Sequence, residues 1–196
     1  MSKRNISILG LLIICSLQAR AQKYEDQYQQ CSIPLKALGF NVDSIYFQRL
    51  RERDSCLKGA IAPNFKAVSI KGEQIELSKL KGQVVVLNFW FTRCQPCIEE
   101  MPELNKLVSK YSDKNVQFIS FAPESSDILL PFLREHPFKF KTVANSENIR
   151  QDIFKLFSGW PYSIIIDKKG KINKIWWGNS GKNVFDVYQE IIDKLL

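Results

Sequence analysis

The chain reads as an α/β domain: a central mixed sheet flanked by helices, entered through an N-terminal hairpin and preceded by a short helical appendage. Three observations predict it. Short apolar, β-branched runs alternate with segments whose apolar residues recur every three or four positions, the pattern of strands and helices layered on one another. One run, Val84 to Phe91, carries a single polar residue, Asn88, as a strand buried on both faces does. Near the end, Tyr162 to Asp167, the turn Lys168-Lys169-Gly170 and Lys171 to Trp177 form an antiparallel hairpin, and a last amphipathic helix closes the chain.

The elements follow in order. Residues 1–21 read as a signal peptide. Lys3 and Arg4 precede the apolar run Ile6 to Leu17, and Ala19-Arg20-Ala21 supplies a cleavage site that leaves Gln22 first. The run is short for a membrane span, which needs about 20 residues. An uncleaved anchor and a lipidated Cys15 are the competing readings, the latter opposed by the bulk of Ile14. Cleavage removes three basic residues and no acid, so the formal charge falls from +8 to +5. No basic run is interleaved with aromatic residues, which argues against nucleic acid as a partner. The compartment implied is the periplasm or cell envelope. Residues 22–59 are polar and helix-prone. Val42 to Leu57, with Ile45, Phe47, Leu50 and Leu57, reads as one or two short helices beside the main domain, too small for a core of their own. Residues 60–196 form one domain of ordinary size.

Within it, Asn64 to Ile70 is a strand turned back at Lys71-Gly72-Glu73 onto Ile75 and Leu77. After strand Val84–Phe91 a helix covers 97–111, with Ile98, Met101, Leu104, Leu107, Val108 and Tyr111 on one side. Val116 to Phe121 is the next strand, parallel to the last through a right-handed crossover. A helix from Asp127 to Glu135 ends at His136-Pro137; Phe140 to Val143 is a short strand; Ile149 to Phe157 is a helix. The closing hairpin leads to a helix over Asn183–Leu196 with Val184, Val187, Ile191, Ile192 and Leu195 inward. Alternation puts only one of Trp176 and Trp177 inward. There are no repeats.

The chemistry concentrates at Cys94-Gln95-Pro96-Cys97, between a buried strand and the start of a helix. A thiol at a helix N-terminus meets free N–H groups and the positive end of the dipole, which favour the thiolate. The second thiol, one turn on, is placed to attack a mixed disulfide formed by the first. Pro96 suits the first turn, where its missing N–H has no partner to lose. Cys94 is therefore the nucleophile, with an exposed low-pKa sulfur and Arg93 as a neighbouring positive charge. Cys97 is the buried resolving thiol. A structural disulfide or half a zinc site is the bland alternative, but zinc takes four ligands and the chain offers one histidine, His136, and no second CxxC. No metal or cofactor is expected. Cys31 and Cys56 are left over; the count allows a structural disulfide between them or two free thiols.

With these residues in view, the strand–CxxC–helix unit resembles a thioredoxin-like three-layer fold. The longer string NFWFTRCQPCIEEMPEL resembles the TlpA/ResA type of thiol–disulfide oxidoreductase within the redoxin (AhpC/TSA-like) group. Ala62-Pro63-Asn64-Phe65, Leu77-Ser78-Lys79-Leu80-Lys81-Gly82 and Trp160-Pro161-Tyr162-Ser163 support it. The resemblance covers residues 60–196 and leaves 23–59 uncovered. It implies an enzyme that exchanges protein disulfides through the Cys94–Cys97 pair. It implies that Glu100, in C-x-x-C-x-x-E, lies near the thiols and can carry a proton during exchange; a solvated glutamate like Glu99 is the alternative. Glu124 is a weaker second acid. Asn88 stands where thioredoxins place a buried aspartate. The resemblance makes Pro161 a cis-proline facing the CxxC and Trp160 the residue whose backbone pairs with a substrate strand. It implies reduction as the direction, hence a membrane electron donor for an exported reductant, with apocytochrome c maturation as one candidate role. Trp90 is expected beneath the site and His136 to have no role. The sequence departs from the family at Arg93, usually Trp, and in the bulk of Trp160. Two other functions are open to a chain with these cysteines. A peroxiredoxin-like peroxidase would need a Pro-x-x-x-Thr/Ser-x-x-Cys motif that this chain lacks. A non-enzymatic metal-binding module would need a wider cysteine spacing and a distal histidine.

Overall fold

The computed structural model describes residues 23–32, 44–156, 159–178 and 184–196. The expected signal peptide and Cys15 lie outside the described residues. Helix α1 covers 23–32. There follow helix α2 (Ser44–Cys56), strands β1 (Lys66–Val68) and β2 (Gln74–Glu76), a 3-10 turn Leu77–Leu80, β3 (Val84–Phe89), α3 (Gln95–Lys110), β4 (Val116–Phe121), α4 (Ser126–Glu135), β5 (Lys141–Val143), a π-helical turn Ile149–Ile153, β6 (Tyr162–Ile166), β7 (Ile172–Trp177) and α5 (Val184–Leu195).

The main sheet has the order β5-β4-β3-β6-β7. β3 runs parallel to β4, and β4 to β5, while β6 and β7 are antiparallel neighbours. β3 lies at the centre with all six residues buried. Its alternation sends Val84 and Val86 to one face, where Leu104 and Leu107 of α3 and Tyr188 and Ile192 of α5 meet them. Val85, Leu87 and Phe89 face the other side, against Phe65, Ile164, Phe154 and Tyr24. The fold is thus a thioredoxin-like sandwich of helix, sheet and helix. Burying each such Val, Leu or Phe contributes about 1.5–3 kcal/mol, so the central strand is the best-anchored platform on which to end an active site.

Several expectations shift by physical detail. The first strand stops at both ends because its flanking polar residues bond elsewhere. Asn64 accepts from the Ser78 N–H at 2.8 Å, and the Ser69 hydroxyl accepts from the N–H groups of Lys71 and Glu73, closing the turn. The helix expected over Ile149–Phe157 is only a π turn. The N–H of Phe154 bonds the Ile149 carbonyl, that of Leu156 bonds the Arg150 carbonyl, and Lys155 takes φ +57°; Phe157 itself lies outside the described residues. Both Trp176 and Trp177 are covered, because helices line both faces. Trp176 meets Tyr188 at 4.7 Å and Trp177 meets Phe47 of α2 at 5.1 Å. Helix α1 adds Tyr24 and Tyr28 to a core cluster of the domain, joined by Leu57 just after α2, and a disulfide joins Cys31 to Cys56 with Cα atoms 5.8 Å apart.

Candidate active site

Beyond β3 the chain runs through Trp90 and Phe91 and turns. The Cys94 N–H bonds the Phe91 carbonyl at 3.0 Å, and Cys94 becomes the N-cap of α3 with extended backbone angles. Its Sγ accepts from the Cys97 N–H at 3.3 Å. Pro96 sits in the first turn, where no N–H is needed. The two cysteines are joined, their Cα atoms 5.2 Å apart. A sulfur at the N-cap of a sixteen-residue helix lies where charge on it is most stabilised.

The expected exposure of Cys94 is not what this oxidised form has. Cys94 is 3 % exposed and Cys97 1 %. Both pack with Trp90, Met101, Ala122 and Leu129, and Phe91 and Trp160 lean on the same cluster. The difference has a steric cause: joined to each other, the sulfurs sit among these aromatic side chains. Arg93 is exposed.

Glu100 is one turn after Cys97, on the side of α3 that faces the sheet. Its carboxylate accepts from Asn88 Nδ2 at 3.0 Å. Burial of the carboxyl pushes its pKa from 4.5 up to about 7, against the smaller lowering effect of the Asn88 bond. Glu99 behaves differently: it is exposed and accepts from Gln95. Asn88 also donates to the Ser163 hydroxyl at 3.2 Å, and Ser163 in turn bonds the Tyr188 hydroxyl. Tyr188 is fully buried, and its phenol is held far above its ordinary pKa by burial and then by Glu100. A polar chain therefore crosses the otherwise apolar face from α3 through β3 and β6 to α5. The reading of Asn88 as the residue in place of an aspartate located one member. Ser163 and Tyr188 were missed, because their partners are 75 and 25 positions away; Tyr188 falls between the inward residues of α5, which is the one signal that could have found it.

Glu124 follows β4 and accepts from both the N–H and the hydroxyl of Thr92, at 2.8 and 2.7 Å. It fixes the turn before Cys94 and is the anchor that residue spacing could not have revealed. Its second oxygen is buried without a hydrogen-bond partner among the described residues. Trp160 and Pro161 are joined by a cis peptide bond. The Trp160 ring meets Phe91 edge-on at 5.2 Å and carries the Arg150 guanidinium 4.6 Å from its centre. Trp90 is wholly buried in the cysteine cluster. His136 caps the end of α4 with its ring against Phe132. Among the described residues no group of three His, Cys, Asp or Glu could hold a metal ion, and no helix is long and apolar enough to cross a membrane.

This geometry can store two electrons in a thiol pair and move a proton near them. Comparison with known proteins is consistent with it. The AhpC/TSA family pattern matches residues 59–175. The chain is 34 % identical over 155 residues to the thiol-disulfide oxidoreductase ResA of Bacillus cereus, covering 78 % of this chain and 86 % of that protein. It is 32 % identical over 149 residues to the thioredoxin-like protein YneN of Bacillus subtilis, with 74 % and 86 % covered. Among solved structures, a thiol:disulfide interchange protein DsbE of Chlorobium tepidum superposes with a TM-score of 0.63 at 27 % identity, over 71 % of this chain and 98 % of that one.

Proposed function

Since the chain belongs to the AhpC/TSA family and is a thiol–disulfide oxidoreductase of the ResA type, we propose that it is an exported reductant of protein disulfides acting through Cys94 and Cys97. The observation that carries the reading is the joined pair at the N-cap of α3, packed beside the Trp160–Pro161 loop and one turn ahead of Glu100. In the dithiol form the Cys94 thiolate attacks one sulfur of a substrate disulfide. A mixed disulfide forms and the first substrate thiolate leaves. Cys97 gives its proton to the Glu100 carboxylate and attacks the Cys94 sulfur. The second substrate thiolate leaves, and the Cys94–Cys97 disulfide remains, the state described above. Two electrons have passed to the substrate, and a membrane thiol donor must return them. A carboxyl with a pKa near 7 suits proton acceptance at neutral pH. Trp160 and Pro161 present backbone to a segment of the substrate, which pairs as an added strand.

The test is a trap. Cys97→Ser incubated with a disulfide-bonded polypeptide should accumulate a mixed disulfide through Cys94, because attack proceeds and resolution does not. Cys94→Ser should accumulate none. Trapping through Cys97 alone would reverse the two roles.

A further inference from the structure

Helices α1 and α2 precede the residues that the family pattern matches, which begin at 59, and the mechanism above makes no use of them. Yet they hold the segment around Trp160 and Pro161 at three places. At the first, α1 reaches the approach to the loop: Tyr24 donates to the Phe154 carbonyl at 2.9 Å and Tyr28 to the Lys155 carbonyl at 3.4 Å. Arg150, which donates to the Leu156 carbonyl, lays its guanidinium on the Trp160 ring. At the second, Gly159 lies against the Trp177 ring so closely that a Cβ there would stand 2.9 Å from Cε3; Phe47 of α2 packs on that same ring. At the third, the hydroxyl of Tyr162, the residue after Pro161, accepts from Arg53 Nη2 and donates to Asp54 Oδ2, both at 2.9 Å. Arg53 and Asp54 are each 3 % exposed and bonded to one another. The Cys31–Cys56 bond ties the two helices into one unit.

A buried ion pair adds little stability over well-packed apolar residues of the same size, because removing two charges from water costs so much. What it supplies is direction: charge-assisted bonds hold a hydroxyl in one place. We infer that α1 and α2, closed by Cys31–Cys56, are the frame that sets the position of the Trp160–Pro161 loop for polypeptide substrates, with Arg53, Asp54 and Phe47 as positioning residues. This rests on the reading of that loop as the polypeptide contact. A small disulfide needs only the Cys94 sulfur. A polypeptide needs the loop as well, and displacing a positioned backbone by about 1 Å costs up to about a hundredfold in rate.

The experiment compares two substrates in single turnover. The full mature chain is used in the state where mass analysis finds two alkylatable thiols and an intact Cys31–Cys56 bond. Insulin is the polypeptide disulfide and hydroxyethyl disulfide the small one. Tyr162→Phe should raise the half-saturating insulin concentration roughly fivefold, the worth of about one hydrogen bond, and Phe47→Leu should raise it by roughly the same factor, the worth of about one aromatic ring contact. The rate with hydroxyethyl disulfide and the Cys94–Cys97 reduction potential should stay at wild-type values. If Tyr162→Phe does not fold, Phe47→Leu carries the test. Trp160→Pro, which removes the backbone N–H offered to a substrate strand and is scored only where hydroxyethyl disulfide is still reduced at the wild-type rate, separates the frame from the loop contact. If it weakens insulin use while the two frame variants match wild type, the frame is refuted and the loop contact stands. If it leaves insulin use unchanged, the loop contact is refuted and the frame falls with it. A parallel loss on both substrates in the frame variants also overturns the inference, since that is what general loosening of the fold produces.

Discussion

Glu100→Gln tests the buried acid through stability, separately from turnover. Burial lifts the Glu100 pKa from 4.5 to about 7 in the folded chain. The folded state therefore binds more protons than the unfolded chain between those values. Stability falls as pH rises through that window and levels off above it. Across the whole window the loss is about 3 kcal/mol, and about 2–3 kcal/mol of it lies between pH 5 and 8. Glutamine keeps the shape and still accepts from Asn88, but it does not titrate. Urea unfolding of the oxidised protein, in which neither active-site thiol titrates, should show wild type losing that much more stability than Glu100→Gln from pH 5 to pH 8. With a urea dependence of about 2 kcal/mol per molar, the difference moves the midpoint by about 1 M. At pH 8 the variant should be the more stable of the two. Parallel curves would refute the reasoning, because a carboxylate with an ordinary pKa gives no differential loss in this range.

Two further outcomes can be checked simply. Gly159→Ala should destabilise the fold by about 2–4 kcal/mol in a denaturant melt, because Gly159 has φ +81° and an added Cβ meets the Trp177 ring; a melt equal to wild type would show that the loop can move off that ring freely. Protein recovered from the cell envelope should begin at Gln22 by mass analysis, and a retained Met1 would favour the anchored form.

By itself the sequence determined what depends on neighbours along the chain. The helix start at Cys94, the tolerance of Pro96 and the burial of β3 all follow from local periodicity and capping, so the cysteine pair's place at a helix start beyond the central strand was legible directly. So was the separation of Glu100 from Glu99, by one position around α3. Local signals were weaker where side chains redirect the backbone, as at Asn64, Ser69 and Arg150, and there the strand and helix limits moved. The rest belongs to contacts between residues far apart. Nothing near Asn88 in the chain announces Ser163 or Tyr188, and nothing near Tyr162 announces Arg53 and Asp54, more than a hundred residues earlier. A polar side chain read alone offers donors and acceptors without saying which will be buried together. Only packing the two helical layers onto the sheet removes their water, and that loss of water obliges them to find each other and raises the Glu100 pKa.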